Sequence, residues 1–175
     1  MPQFVFQDYE KRKIDLAFIE IDWEKKNTQP VTFTLLGGNK SGLAVTGPQK
    51  LVQRVILILF TIPGTKLWDP AFGTEFLLDA IQNRWRSTAD IRRSFAAARL
   101  ALLQQLRDME ESSDPDDEIA ADVELVNVKL DYGSVSLYLR LTTAAGKNVP
   151  FVIPVPIIRI VKNPEELDAP TTNSI

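Results

Sequence analysis

Two carboxylates four residues apart on one helical face, Glu75 and Asp79, are the pair whose spacing comes nearest to acid–base chemistry in this 175-residue chain. Such a pair could cleave a glycosidic bond without histidine, one group protonating the leaving oxygen while the other serves as base or nucleophile. That reaction needs one carboxyl raised in pKa within a cleft, and nothing in the surrounding sequence supplies either condition. The acidic run Asp114, Asp116, Asp117 and Glu118 could hold calcium, but it lacks the alternating ligands and internal glycine of a calcium loop and reads as a solvated linker. Histidine and cysteine are both absent, which removes the side chains that most often act as nucleophile, general base or transition-metal ligand near neutral pH. The expectation is a protein that is not an enzyme, with no catalytic residue, no cofactor and no metal.

Composition narrows the alternatives. Charged residues make up 25% and hydrophobic ones 45%, the balance of a globular chain long enough for one domain with extensions. A net charge of -3 argues against a generic nucleic-acid surface, which requires clustered lysine and arginine. The first residues, MPQFVFQDYEKRK, do not read as a secretory signal, and the longest apolar run, Val55 to Phe60, is too short for a bilayer. The sequence therefore leads us to expect folding in cytoplasm, with neither membrane nor small-molecule substrate as partner.

The elements that would position any functional surface follow from periodicity. Val52, Val55, Ile56, Leu59 and Phe60 recur at helical spacing, with Pro48 near the first turn and Pro63-Gly64 as the stop. A second helical pattern runs from Thr74 to Asp79. A third starts at Ser87 or Thr88, capped by a hydroxyl and helped by Asp90, and carries Ile91, Phe95, Ala98, Leu102, Leu106 and Met109 on one face. Alternation then takes over: Val126 to Leu130 and Val135 to Leu141 predict a hairpin across Asp131-Tyr132-Gly133. A run from Val149 to Ile160 carries Pro150, Pro154 and Pro156 and must lie on an edge or partly outside the sheet. Before the first helix, Phe4 and Phe6, Ile19 and Ile21, and Val31, Phe33 and Leu35 predict two or three short strands. The expected organisation is an N-terminal β extension over 1–46, an α+β domain over 47–162 with three helices packed on a small antiparallel sheet, and a polar tail over 163–175.

With chemistry set aside, the candidates are docking residues. Trp68, Asp69, Pro70 and Phe72 fall in a stiff loop between the first two helices; each of the two rings either plugs the core there or anchors a partner, with Trp68, beside Lys66 and Asp69 in a polar loop, the candidate anchor. Arg84, Trp85 and Arg86 form a basic-aromatic cluster that either caps the helix junction or meets an anionic groove on a neighbour. The edge run, through Val149, Phe151, Val152, Ile153 and Val155, could accept a strand from another chain, unless its prolines serve only to blunt the edge.

The order Ile58-Leu59-x-Thr61-x-Pro63-Gly64, then Pro70-x-Phe72-Gly73 and an apolar helix, resembles the signature of the baseplate wedge and sheath-initiator family of contractile phage tails, which has relatives in type VI secretion baseplates. The likeness covers roughly Leu51 to Val155. Two departures stand out: Thr65 and Lys66 occupy the places where an acidic and then a basic residue usually follow the Pro-Gly, and DPDDE replaces a Glu-Pro-Arg triplet before the first strand of the sheet. The resemblance implies a structural virion protein, assembled in the host cytoplasm, that joins the inner baseplate in sixfold arrangement. It would bind wedge and tube-proximal proteins and start sheath polymerisation by accepting strands from the first ring of sheath subunits. The type VI counterpart and a virion glycan hydrolase are the alternatives.

Overall fold

A computed structural model describes residues 12–13, 15–16, 19–20, 32–33, 44–131 and 133–156. The architecture is α+β. Four two-residue strands, β1 (Asp15–Leu16), β2 (Ile19–Glu20), β3 (Thr32–Phe33) and β4 (Ala44–Val45), come first. Three helices come next, α1 (Gly47–Phe60), α2 (Phe76–Ile81) and α3 (Thr88–Asp108), and then strands β5 (Ala120–Asp131), β6 (Ser134–Thr143) and β7 (Asn148–Pro156). β1 pairs with β4 and β2 with β3, both antiparallel, so the N-terminal strands nest as one pair inside another. The expectations for Phe4, Phe6, Ile21, Val31 and Leu35, for Tyr132, for the end of the third run at Ile157 to Ile160 and for the tail over 163–175 lie outside the described residues.

α1 begins where Pro48 presets the backbone and ends at Thr61, whose hydroxyl donates back to the Leu57 carbonyl at 2.6 Å before the chain turns extended. Its apolar spacing buries Leu51, Val52, Val55, Ile56, Ile58 and Leu59. α3 starts at Ser87, whose hydroxyl oxygen accepts the Asp90 amide at 3.2 Å while the Asp90 carboxylate accepts the Ser87 hydroxyl at 2.8 Å. Two groups at the helix start are satisfied reciprocally, and Asp90 faces the positive end of the helix dipole. One stripe of α3, Ile91, Phe95, Ala98, Leu102 and Leu106, is buried against α1 and β5.

The sheet has order β5-β6-β7 and is antiparallel throughout. Along β6, Val135, Leu137, Leu139 and Leu141 are buried and alternate with more exposed residues, as the period of a half-buried strand dictates. They join one cluster with the buried faces of α1 and α3 and with Phe76 and Trp85. Each such aliphatic side chain contributes about 1.5–3 kcal/mol by burial, so the sheet and helices depend on one core.

At the head of β5 the sequence expectation needs correcting. Glu118 belongs to no solvated linker: a short 3-10 turn, Asp116–Glu118, carries it into the interior with 2% of its surface exposed. One carboxylate oxygen accepts the Gly47 amide at 2.7 Å and an Arg12 guanidinium N–H at 3.2 Å, and the other accepts Lys50 Nζ at 2.6 Å. Lys50 also donates to the Lys13 carbonyl, and Arg12 to Asp117 at 2.9 Å. A buried charge survives only when paired and hydrogen-bonded, and these partners come from the N-terminal segment and the first turn of α1.

Candidate partner-docking site

The loop between α1 and α2 holds large apolar side chains away from the core. Leu67 is 93% exposed and Trp68 83%, with Asp69 and Pro70 exposed beside them. Behind these residues the backbone is tied repeatedly. The Gly64 amide donates to the Pro70 carbonyl at 2.8 Å, closing the loop on itself, and the Phe72 amide donates to Asp69 at 3.2 Å. The Thr74 amide reaches the Thr61 carbonyl at 2.9 Å, and the Thr74 hydroxyl the Leu59 carbonyl at 3.2 Å. From α3, the Gln105 side-chain amide pairs with Gly73 in both directions, accepting its N–H and donating to its carbonyl, each at 2.8 Å.

Two glycine positions decide the path. Gly73 has φ +108°, and a Cβ there would sit 2.2 Å from the Thr61 carbonyl oxygen, so only hydrogen fits. Gly64, at φ +83°, turns the chain with open space around it. Phe72 takes the core option: it is buried, with Lys66 Nζ 3.0 Å from the centre of its ring. The loop therefore presents Leu67 and Trp68 on a backbone anchored from both ends and from α3. Exposed aromatic and aliphatic residues with few free torsions are the usual anchors of protein interfaces.

Sequence reasoning singled out Trp68 but missed Leu67 and Gln105. Leu67 carried no signal because one leucine in a loop is equally consistent with a core plug. Gln105 lies off the apolar stripe of α3, where its contact across 32 residues has no local signature.

The basic-aromatic cluster separates into two parts. Trp85 is buried, its ring 4.6 Å from that of Phe76, which also meets Phe60 and Phe95 edge-on. Its ring is thus part of the core at the α2–α3 junction. Arg84 and Arg86 are exposed, and Arg84 donates to Asp79 at 2.9 Å. The same Asp79 carboxylate accepts the Ser94 hydroxyl at 2.7 Å, so it braces α2 against α3, while Glu75 is exposed at the start of α2.

The sheet edges are set by backbone parity. At the β6–β7 turn the Thr143 amide donates to the Lys147 carbonyl at 3.0 Å, and stepping by two along the register makes Leu141–Val149, Leu139–Phe151, Leu137–Ile153 and Val135–Val155 the hydrogen-bonded pairs. Pro150, Pro154 and Pro156 therefore occupy positions whose amides would face outward, which is how three prolines fit in an unbroken strand. Val149, Phe151, Ile153 and Val155 turn their backbones to β6 and their side chains to the core; of the five residues expected to meet a partner strand, Val152 alone has an outward amide.

On β5 the same parity turns the amides of Val123, Leu125, Val128 and Leu130 outward, while the Val123, Leu125 and Val128 side chains are buried. Two register irregularities, between Ala120 and Asp122 and between Leu125 and Asn127, are each followed by a side chain that accepts the next amide: Asp122 takes Val123 N–H at 2.6 Å and Asn127 takes Val128 N–H at 2.9 Å. Arg99 of α3 donates to the Val123 carbonyl at 2.9 Å and to Asp122 at 2.5 Å, covering that end.

Among the described residues, no group of three or more acidic, cysteine or histidine side chains is placed to hold a metal ion, and no helix is long and apolar enough to cross a membrane. No family model matches the chain, and no curated protein or solved structure matches it significantly.

Proposed function

We propose that this chain is a structural subunit of a contractile-tail baseplate, which docks to wedge and tube-proximal proteins through its α1–α2 loop and starts sheath assembly. The observation that carries the reading is the braced loop with Leu67 and Trp68 held out. A side chain as large as tryptophan left 83% exposed beside a leucine at 93% adds almost nothing to this chain's own stability. A partner pocket that desolvated both would gain on the order of 3–5 kcal/mol from apolar burial, and the rigid backbone would lose little entropy on binding.

The second half of the mechanism uses the sheet. A strand arriving from the first sheath ring along β7 would donate its own N–H groups to the outward carbonyls and receive few in return, because three outward positions are proline. Such an edge selects a donor strand and resists pairing with a like strand. In this sixfold reading the protein acts by offering shape and backbone to sheath and baseplate neighbours in the virion, with no nucleic acid, membrane or substrate involved.

The test is co-expression with the sheath and baseplate proteins of the contractile tail encoded in the same genome. Wild-type chain should give baseplates bearing sheath by electron microscopy, and Leu67→Asp/Trp68→Ala should leave the subunit folded but absent from the particles. Normal incorporation of that variant would overturn the docking role; normal sheaths on baseplates that never contained the subunit would overturn the function itself.

A further inference from the structure

The strip of β5 at its hairpin end, Val126 to Leu130, has no strand on its outer side among the described residues and lies beyond the part covered by Arg99. Its Leu130 amide faces outward and its Val128 amide is held only by an exposed asparagine side chain that can swing away. Val126 and Leu130 are 48% and 40% exposed, which adds an unusual apolar margin to an open edge. Further down the strand a groove runs between α3 and β5, lined by Arg92 and Arg99 on one side and Asp122, Glu124 and Leu125 on the other. Arg99 is paired with Asp122 and Glu124 with Arg140, whereas Arg92 has no ion pair among the described residues.

The sequence of this chain contains a segment that matches both features in order. Among the described residues the β6–β7 register ends at Ser134 opposite Pro156. Directly after Pro156 the chain reads Ile157-Ile158-Arg159-Ile160-Val161, five residues of which four are β-branched and apolar, and a few positions later comes the acidic Glu165-Glu166-Leu167-Asp168. We propose that residues 157–161 of one copy add as an antiparallel strand to Val126–Leu130 of a neighbouring copy, and that Glu165 and Glu166 then meet Arg92 of that neighbour.

The direction is consistent. An antiparallel strand entering beside Leu130 runs toward Leu125 and the groove, and four more extended residues reach about 13 Å, enough to bring Glu165 to Arg92. A neighbour's strip is favoured over the chain's own because the apolar run starts directly after Pro156. Reaching the outside of β5 in the same molecule would use residues to cross three strand spacings, about 14 Å, leaving too few for the strip. The neighbour's β7 edge is a poorer acceptor, since its outward prolines cannot donate. The contact is heterologous, joining the end of β7 on one copy to β5 on the next, and such a contact repeats into a ring when its rotation closes. The proposal rests on the sixfold reading only for closure; strand addition between two copies stands on its own observations.

The test is sedimentation velocity of the full chain at about 0.2 mM, which populates even weak associations. Wild type should sediment above the monomer. Leu130→Pro, which removes an outward amide without touching the β5–β6 ladder, and the tail variant Ile158→Lys/Ile160→Lys should each return it to monomer. Arg92→Glu should weaken association roughly fivefold. Should Leu130→Pro fail to fold by circular dichroism, the tail variant and Arg92→Glu decide. A monomeric wild type, or an oligomer that the tail variant leaves unchanged, overturns the proposal. A monomer whose Val128 and Leu130 amides exchange faster in the tail variant assigns the strand to its own chain and overturns it equally.

Discussion

Replacing Gly73 by alanine isolates what the braced loop depends on. The new methyl would lie 2.2 Å from the Thr61 carbonyl oxygen and 2.8 Å from its carbon, and both are backbone atoms that cannot rotate aside. Backbone at φ +108° adds strain for any side chain, on the order of 1–2 kcal/mol. Relieving the overlap requires Thr61 and Gly73 to separate, which stretches the Thr74-to-Thr61 bond and the paired Gln105 contacts. Overpacking of this kind, with the partial weakening of those hydrogen bonds included, costs about 2–3 kcal/mol. The sum is about 3–5 kcal/mol, or a fall in Tm of roughly 6–20 °C at this chain length. Gly64→Ala supplies the control, because its φ of +83° brings similar strain with nothing within 4 Å of the added atom. Urea unfolding of both variants should give a difference of about 2–3 kcal/mol between them, the part due to contact alone. Equal losses would refute the argument that the loop is held by close approach to Thr61.

Three further outcomes are expected. Glu118→Ala or Lys50→Met alone should destabilise by about 3–5 kcal/mol by stranding the other charge, while Lys50→Met/Glu118→Leu together should recover most of the loss, as read from a double-mutant cycle in urea. Trp68→Ala should change unfolding free energy by no more than about 0.5 kcal/mol, while weakening capture of the proposed baseplate partner by roughly thirtyfold or more in a binding titration. Bonding from the Ser87 hydroxyl, aided by Arg93, holds the Asp90 carboxyl below its ordinary value of 3.8. Its contribution is thus complete above that pH and disappears as pH falls through the lowered folded value, so Asp90→Asn should flatten the acid limb of the stability curve below about pH 5.

The helices and the hairpin were legible because each is a local pattern: apolar spacing in α1 and α3, a serine cap with Asp90, alternation along β6. The edge position of β7 was legible from its prolines, but the strand's continuity was not, since it depends on all three prolines sharing one parity and on that parity being outward. β5 begins six residues before the alternating run that starts at Val126, because the irregularities at Ala121 and Val126 break the period. Glu118 looked like one more solvated acid among DPDDE, and its partner Lys50 is 68 residues away. The candidate site divided in the same way. Trp68 could be picked out as a large ring in a polar loop, whereas the fate of Trp85 turned on Phe60, Phe76 and Phe95 converging from separate helices. What a side chain meets across the fold leaves no trace in its neighbours along the chain.

The carboxylate of Glu118 also sets an order of events during synthesis. The Gly47 amide and the Lys50 ammonium are made 71 and 68 residues before their shared acceptor, and at about 5–20 residues per second that is a wait of roughly 3–14 seconds. During this interval the Gly47 amide, the Lys50 ammonium and the arginine at position 12 lack their carboxylate partner, and the core cluster that α1 joins awaits a sheet not yet translated. Nascent chains should therefore remain protease-sensitive around residues 44–60 until the ribosome has passed well beyond the turn, after which a single residue closes three segments at once.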